Sequence, residues 1–136
     1  MKEVEVADKA QKVMKELKDS ADRDRKSMVT TSQIRKFLTA VNTITEKVNV
    51  FRIQNPGEAE KLPEDLQAEI KYLKIKMAYQ IGRNSNRWGN PVKDFADKAE
   101  LLKEIDEIKD SVKAYQVFAK YMEALVAFHK FYGGRD

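Results

Sequence analysis

The sequence predicts an all-α protein, a compact bundle of about five helices, and three observations carry that prediction. Only five Gly and three Pro occur in 136 residues, all in the C-terminal two thirds. Charged residues make up 35% of the chain. Apolar residues recur every three or four positions rather than every second one. Few breakers with dense charge suit long amphipathic helices, because a multi-stranded sheet would need frequent turns.

The length implies one domain over residues 1–136, which buries roughly 68–70% of the surface its unfolded chain exposes. No disulfide or metal is needed to make such a chain fold. The absence of Cys removes thiolate catalysis, the usual structural zinc sites and disulfide scaffolding, and the single His removes multi-His metal sites. No apolar run approaches about 18 residues and no signal-peptide pattern is present, so a soluble cytoplasmic protein with no membrane partner is expected.

The first helix is predicted from about Glu5 to Lys18, with Val6, Ala10, Val13, Met14 and Leu17 on one face. Residues 19–29 open with the run DSADRDRK, which breaks the apolar pattern and reads as an exposed, mobile loop. The second helix has a well-formed start: Thr30 and Gln33 suit a capping box, and Val29 and Ile34 occupy the two positions of a hydrophobic staple. Its core face follows as Ile34, Phe37, Leu38, Val41, Ile44, Val48 and Phe51. Arg35, Thr39 and Asn42 share one flank of that helix.

Asn55, Pro56 and Gly57 signal a turn, and Pro63 with Glu64 and Asp65 behind it opens the third helix. Its main stripe is Leu66, Ile70, Leu73, Met77 and Ile81; Tyr72, Ile75 and Tyr79 form a second stripe nearly opposite. A helix apolar on two faces is either central in a bundle or uses its second face on another molecule. Packing inside the bundle is the expectation here. Gly82 reads as the stop of this helix, followed by the polar loop RNSNRWGN (Arg83 to Asn90) with the only Trp.

Asn90 as cap and Pro91 behind it start the fourth helix, with Val92, Phe95, Ala99, Leu102, Ile105 and Ile108 inward. Asp110 or Ser111 recaps the chain into a fifth. That last helix carries two adjacent stripes, Tyr115, Ala119, Met122, Val126, His129 and Phe118, Tyr121, Leu125, Phe128, Tyr132, closed by Gly133 and Gly134. So wide an apolar arc marks it as the spine of the domain.

The charge is unevenly spread. Between Ile70 and Lys93 stand Lys71, Lys74, Lys76, Arg83, Arg87 and Lys93 with no acid, whereas the whole chain is only +4. Localised basicity beside Tyr72, Tyr79 and Trp88 suits a phosphate backbone, although a solvated Lys-rich helix face has the same composition. Thr30 to Glu46 adds Arg35 and Lys36 with no acid before Glu46. For Arg35 and Arg83, phosphate contact competes with pairing to acids such as Glu69 or Glu123. Trp88 reads equally as a stacking platform for an unpaired base or as a plug for the end of the bundle.

Nothing supports an enzyme. His129 on an apolar stripe reads as a satisfied core residue, and local spacing fixes no second carboxylate near Glu123. No phosphate-cradling glycine loop, nucleophile elbow or metal-ligand spacing occurs, so no cofactor is implied.

Three segments, VTTSQIRKFLTAVN (Val29 to Asn42), LKIKMAYQIGR (Leu73 to Arg83) and FAKYMEALVAFHKFYGG (Phe118 to Gly134), in this order and spacing, closely resemble the small, Csm-type subunit of the type III-A CRISPR effector complex. The resemblance covers most of the chain from Val29 onward. It implies a non-catalytic subunit of antiviral defence that stacks in several copies inside a ribonucleoprotein filament. There it supports the duplex of guide RNA and target RNA through backbone contacts. The implied partners are those two RNAs, a backbone subunit that cleaves target RNA, a large subunit that cleaves DNA and makes cyclic oligoadenylate, and neighbouring copies. Arg35 of the TTSQIR segment and Arg83 closing YQIGR become the leading RNA contacts. The expected RNA-binding set is Arg35, Lys36, Asn42, Lys74, Lys76, Arg83, Arg87 and Trp88. Phe128 departs from the Tyr common in that family, which points to packing there.

A subunit that accepts any target should read backbone and shape and leave sequence to base pairing. The alternative is a protein-only helical adaptor that docks through the second stripe of the third helix. A helix-turn-helix regulator is disfavoured by the long insert between Phe51 and Pro63.

Overall fold

The computed structural model describes residues 1–136 and is all-α. A short 3-10 turn, Glu3–Glu5, leads into α1 (Val6–Asp24), α2 (Thr31–Gln54), α3 (Glu64–Arg83), α4 (Pro91–Lys98), α5 (Leu101–Ile108) and α6 (Val112–Phe131). The start signals act as expected. Thr30 Oγ1 accepts the Gln33 amide at 3.2 Å while Gln33 Oε1 accepts the Thr30 amide at 2.9 Å, completing the capping box of α2. Asn90 and Ser111 cap α4 and α6 by accepting the Lys93 and Ala114 amides, both at 3.0 Å.

Two boundaries differ from the prediction. The first helix does not stop near Lys18 but runs to Asp24, so the expected loop over 19–29 shrinks to a short connection. Buried Ala21 continues the apolar stripe one turn further, and Lys18 bonds Asp22 four residues on at 3.2 Å. Arg25 then ends the helix in the left-handed conformation (φ 51°), with its own amide and that of Lys26 closing on the Ala21 carbonyl. The predicted fourth helix is two, because Glu100 takes φ 55° and breaks it. The break rotates α5 out of phase with α4: Leu101 is fully buried, and Leu102, expected inward, is 38% exposed.

Helix α6 is the spine, packed against α1, α2 and α5, while α3 lies on α2 and α5. The 29 residues of the core form one contiguous cluster. Its two large polar-tipped side chains are satisfied: the Tyr115 hydroxyl donates to the Val41 carbonyl and the Tyr121 hydroxyl to that of Ala99, both at 2.8 Å. Burial pushes the Tyr115 phenol up to about 12, although its bond to Thr45 works the other way. Phe37 stacks on Phe95 with centroids 6.2 Å apart, joining α2 to α4. The connection after α2 is tied down by paired backbone bonds between 60–62 and 110–112, at 2.7 and 3.1 Å, which also bury Leu62.

One expectation fails outright. Tyr72, Ile75 and Tyr79 do not pack in the bundle; they are 53%, 58% and 65% exposed. Helix α3 packs on α2, α5 and α4, and the face that carries the second stripe stays open to solvent.

Candidate nucleic-acid interface

The start of α2 and the end of α3 meet because one side chain serves both. Gln33, already closing the capping box, donates through Nε2 to Asn84 Oδ1 at 3.0 Å, and Asn84 donates back to the Gln80 carbonyl at 2.6 Å. Gly82 is therefore not the stop; α3 runs on to Arg83 and Asn84 terminates it. The bond sets the segment carrying Arg35 and Lys36 beside the one carrying Arg83.

The loop after α3 is built to present Trp88. Asn86 and Gly89 exchange backbone hydrogen bonds at 3.2 and 3.1 Å, and Asn86 Oδ1 accepts the Trp88 amide at 2.7 Å. Gly89 sits at φ 124°, a conformation other residues rarely adopt. Asn90 anchors the base of the loop by donating to the Ile81 carbonyl at 2.7 Å. Trp88 stands 79% exposed at the tip, so it does not plug the bundle.

Between α2 and α3 lies a surface groove of about 360 Å³, lined by Lys36, Phe37 and Ala40 on one side and by Tyr72, Leu73, Ile75, Lys76, Met77, Tyr79 and Gln80 on the other. No acid lines it. Outside it, further along the same two helices, Lys47 is clamped on both oxygens of Glu69, at 2.8 and 2.9 Å.

The ion pairs of the molecule include none to Arg35, Lys36, Lys76, Arg83 or Arg87. Three of these five lie over exposed rings instead: Lys76 over Tyr72 at 5.7 Å, Arg83 over Tyr79 at 5.9 Å and Arg87 over Trp88 at 4.6 Å. The pairing of Arg83 with Glu123 that competed with phosphate contact is absent, and Glu123 is exposed without a basic partner. Lys74 is drawn away from the set by Asp106 at 2.8 Å. Asn42 is exposed on the Arg35 flank, about 120° around α2 from Lys36, and neither Asn42 nor Arg35 lines the groove. Tyr72 and Tyr79 were missed as surface groups. The available signal was a Tyr followed four residues later by a cation, repeated as Tyr72/Lys76 and Tyr79/Arg83.

His129 supports this surface from behind. It is buried; its Nε2–H donates to the Val29 carbonyl at 2.7 Å, and Nδ1 lies 3.5 Å from Thr31 Oγ1. Burial pushes its pKa down, and the Val29 bond opposes the shift. Beyond α6, the Gly134 and Gly133 amides close on the His129 and Lys130 carbonyls at 2.8 and 3.0 Å, and the Arg135 carbonyl accepts the Thr31 amide at 2.6 Å. His129 and the tail thus hold the first turn of α2 in place.

No group of three or more His, Cys, Asp or Glu side chains is placed to hold a metal, and no helix is long and apolar enough to cross a membrane. The arrangement offers unpaired cations and open aromatic faces, which suits an anionic polymer bearing rings.

Comparison with known proteins agrees with the resemblance. The family model described as Csm2 Type III-A matches residues 7–135. The CRISPR system Cms protein Csm2 of Streptococcus thermophilus is 38% identical over 109 residues, covering 80% of this chain and 77% of that protein. Its namesake in Enterococcus italicus is 36% identical over 131 residues, covering 90% and 86%. That of Mycobacterium tuberculosis is 32% identical over 108 residues, covering 79% and 78%.

Proposed function

The chain belongs to the Csm2 family of type III-A CRISPR small subunits, and from that membership we propose a specific role within the effector complex. It is a non-catalytic subunit that stacks in several copies along the filament and supports the duplex of guide and target RNA through backbone contacts. The reading is supported above all by the gathering of five cations without an acid partner, Arg35, Lys36, Lys76, Arg83 and Arg87, on the facing ends of α2 and α3, three of them over exposed rings. A cation left unneutralised within the molecule is available to displace counterions from phosphate. Lys74 is a reserve contact, since its pair with Asp106 is exposed and weak in water. Individually weak contacts on each copy add up when several copies engage one strand.

The test is the binding of RNA by the isolated protein across a salt series. Replacing Arg35, Lys36, Lys76 and Arg83 together by Gln is expected to lower affinity roughly a hundredfold. It should also flatten the logarithmic salt slope by up to about 3, at about 0.7 per phosphate contact on a single strand. Unchanged affinity and slope would overturn the assignment of this face.

A further inference from the structure

We infer that Gln33 is a positioning residue of the RNA face: through Asn84 it holds the cations of α2 in register with those of α3. The inference rests on the duplex-binding reading above and adds what keeps the two halves of that face together. The phosphates of a paired RNA stand at fixed places on its surface, so cations carried by two helices bind it best when the helices are already held at the matching distance.

The chemistry of the side chain is the first support. A capping box accepts Glu or Gln at its third helical position, and the positive end of the helix dipole favours Glu there. This chain has Gln. A carboxylate can only accept, whereas an amide accepts and donates at once. Gln33 Oε1 accepts the Thr30 amide at 2.9 Å, which leaves Nε2 to donate to Asn84 Oδ1 at 3.0 Å. Asn84 is oriented in turn, because its Nδ2 donates to the Gln80 carbonyl at 2.6 Å and so turns Oδ1 toward Gln33. The relay runs one way, from the first turn of α2 to the last turn of α3.

The place of the bond is the second support. Gly82 weakens the end of α3 just before Arg83, and Asn84 and Asn90 stitch that end by donating to the Gln80 and Ile81 carbonyls. Those two bonds hold the turn to its own helix and loop, and Gln33 ties it to α2. The remaining side-chain hydrogen bonds between the two helices, from Lys47 to Glu69, stand about four turns further along α2 in an exposed pair that water weakens. Lys36 and Gln80 line the groove, and Gln33 and Asn84, one turn beyond each, close its end.

The full chain is titrated with a blunt RNA duplex at one low salt concentration, and the melting temperature of each variant is measured alongside. Gln33→Ala and Asn84→Ala are each expected to lower duplex affinity about fivefold, near the worth of one hydrogen bond, and the double variant no further than either. Thr30→Ala removes the other half of the same capping box. It should lower the melting temperature by a similar amount to Gln33→Ala and leave affinity as it was. Once Lys76→Gln and Arg83→Gln have emptied the α3 half of the face, Gln33→Ala should cost nothing more. Direct contact of Gln33 or Asn84 with RNA would instead give losses that add and that persist in that background. Either result overturns the inference, as does unchanged affinity in Gln33→Ala. The protein carrying Lys76→Gln and Arg83→Gln tests the underlying reading by itself: if it binds duplex like the wild type, the RNA face is wrongly placed whatever Gln33 does. A wild type that binds no duplex overturns both readings.

Discussion

The two sides of this bundle use the same residue types in opposite ways. Around α1, α5 and the N-terminal turn, several lysines are consumed within the molecule, although Lys12 and Lys15 of α1 are not. Lys9 reaches Glu104 at 2.8 Å and Glu100 at 3.7 Å, Lys98 reaches Glu16 at 2.9 Å, and Lys113 and Lys120 converge on Glu3. Across the molecule, Arg35, Lys36, Lys76, Arg83 and Arg87 find no acid, and three of them rest on exposed rings. The net charge of +4 hides this division. What distinguishes a binding face from a solvated one is that unanswered charges gather there beside open rings.

If that division is real, unpairing a cation on the stitched side should cost stability and leave RNA binding alone. The largest effect is expected at Lys9, whose partner Glu104 is only 7% exposed. Lys9→Met strands a buried carboxylate and should destabilise the fold by about 3 kcal/mol in urea unfolding, with RNA affinity unchanged. Adding Glu104→Leu should restore most of the loss, since a packed apolar pair can replace a buried ionic one.

A smaller effect is expected at the clasp joining the two sides. His129 is pushed down by burial and by Lys130, against the Val29 bond and Asp136. The unfolded chain therefore takes up the proton first. The stabilisation is present above the ordinary histidine range, near 6.5, and is lost as pH falls below it. Urea unfolding between about pH 7.5 and pH 5 should show the decline in the wild type and lose that component in His129→Gln. RNA affinity of the folded protein at neutral pH should not follow it.

The smallest effect is expected at Glu3. Hydrogen bonds from Lys113 and Lys120 hold its carboxyl down to about 2, so its contribution is present above the usual carboxylate range and fades as pH falls toward 2. The group lies at the surface, and water screens the pairs. Glu3→Gln should leave the neutral-pH melting temperature within error and weaken only the acid dependence below about pH 4.5. A large loss at neutral pH would mean that the exposed pairs are structural and would blur the contrast between the two sides.

Local signals in the chain are legible where the physics is local. The Thr30–Gln33 box, the Asn90 and Ser111 caps and the apolar arc of the last helix all depend on residues within a few positions of one another. The break at Glu100 is hidden because a left-handed Glu has no compositional marker, and Leu101 and Leu102 are equally good inward candidates until the phase is known. The continuation of α1 to Asp24 is hidden by charge, since DSADRD looks like loop unless Ala21 is seen to be buried.

By itself, then, the sequence determined the fold class, the helix starts, the central place of the last helix, the family and the gathering of basic residues near α2 and α3. It also determined that α3 has two apolar faces, because periodicity is a property of the helix alone. Which of those faces is covered depends on where α2 and α5 lie, and only the tertiary structure decided that Tyr72 and Tyr79 face water. The same is true of the charges: Lys74 and Lys76 differ by two positions and share a composition, yet one meets Asp106 and the other a ring. Pairing is set by distance in space between segments far apart in the chain, and no local pattern encodes it.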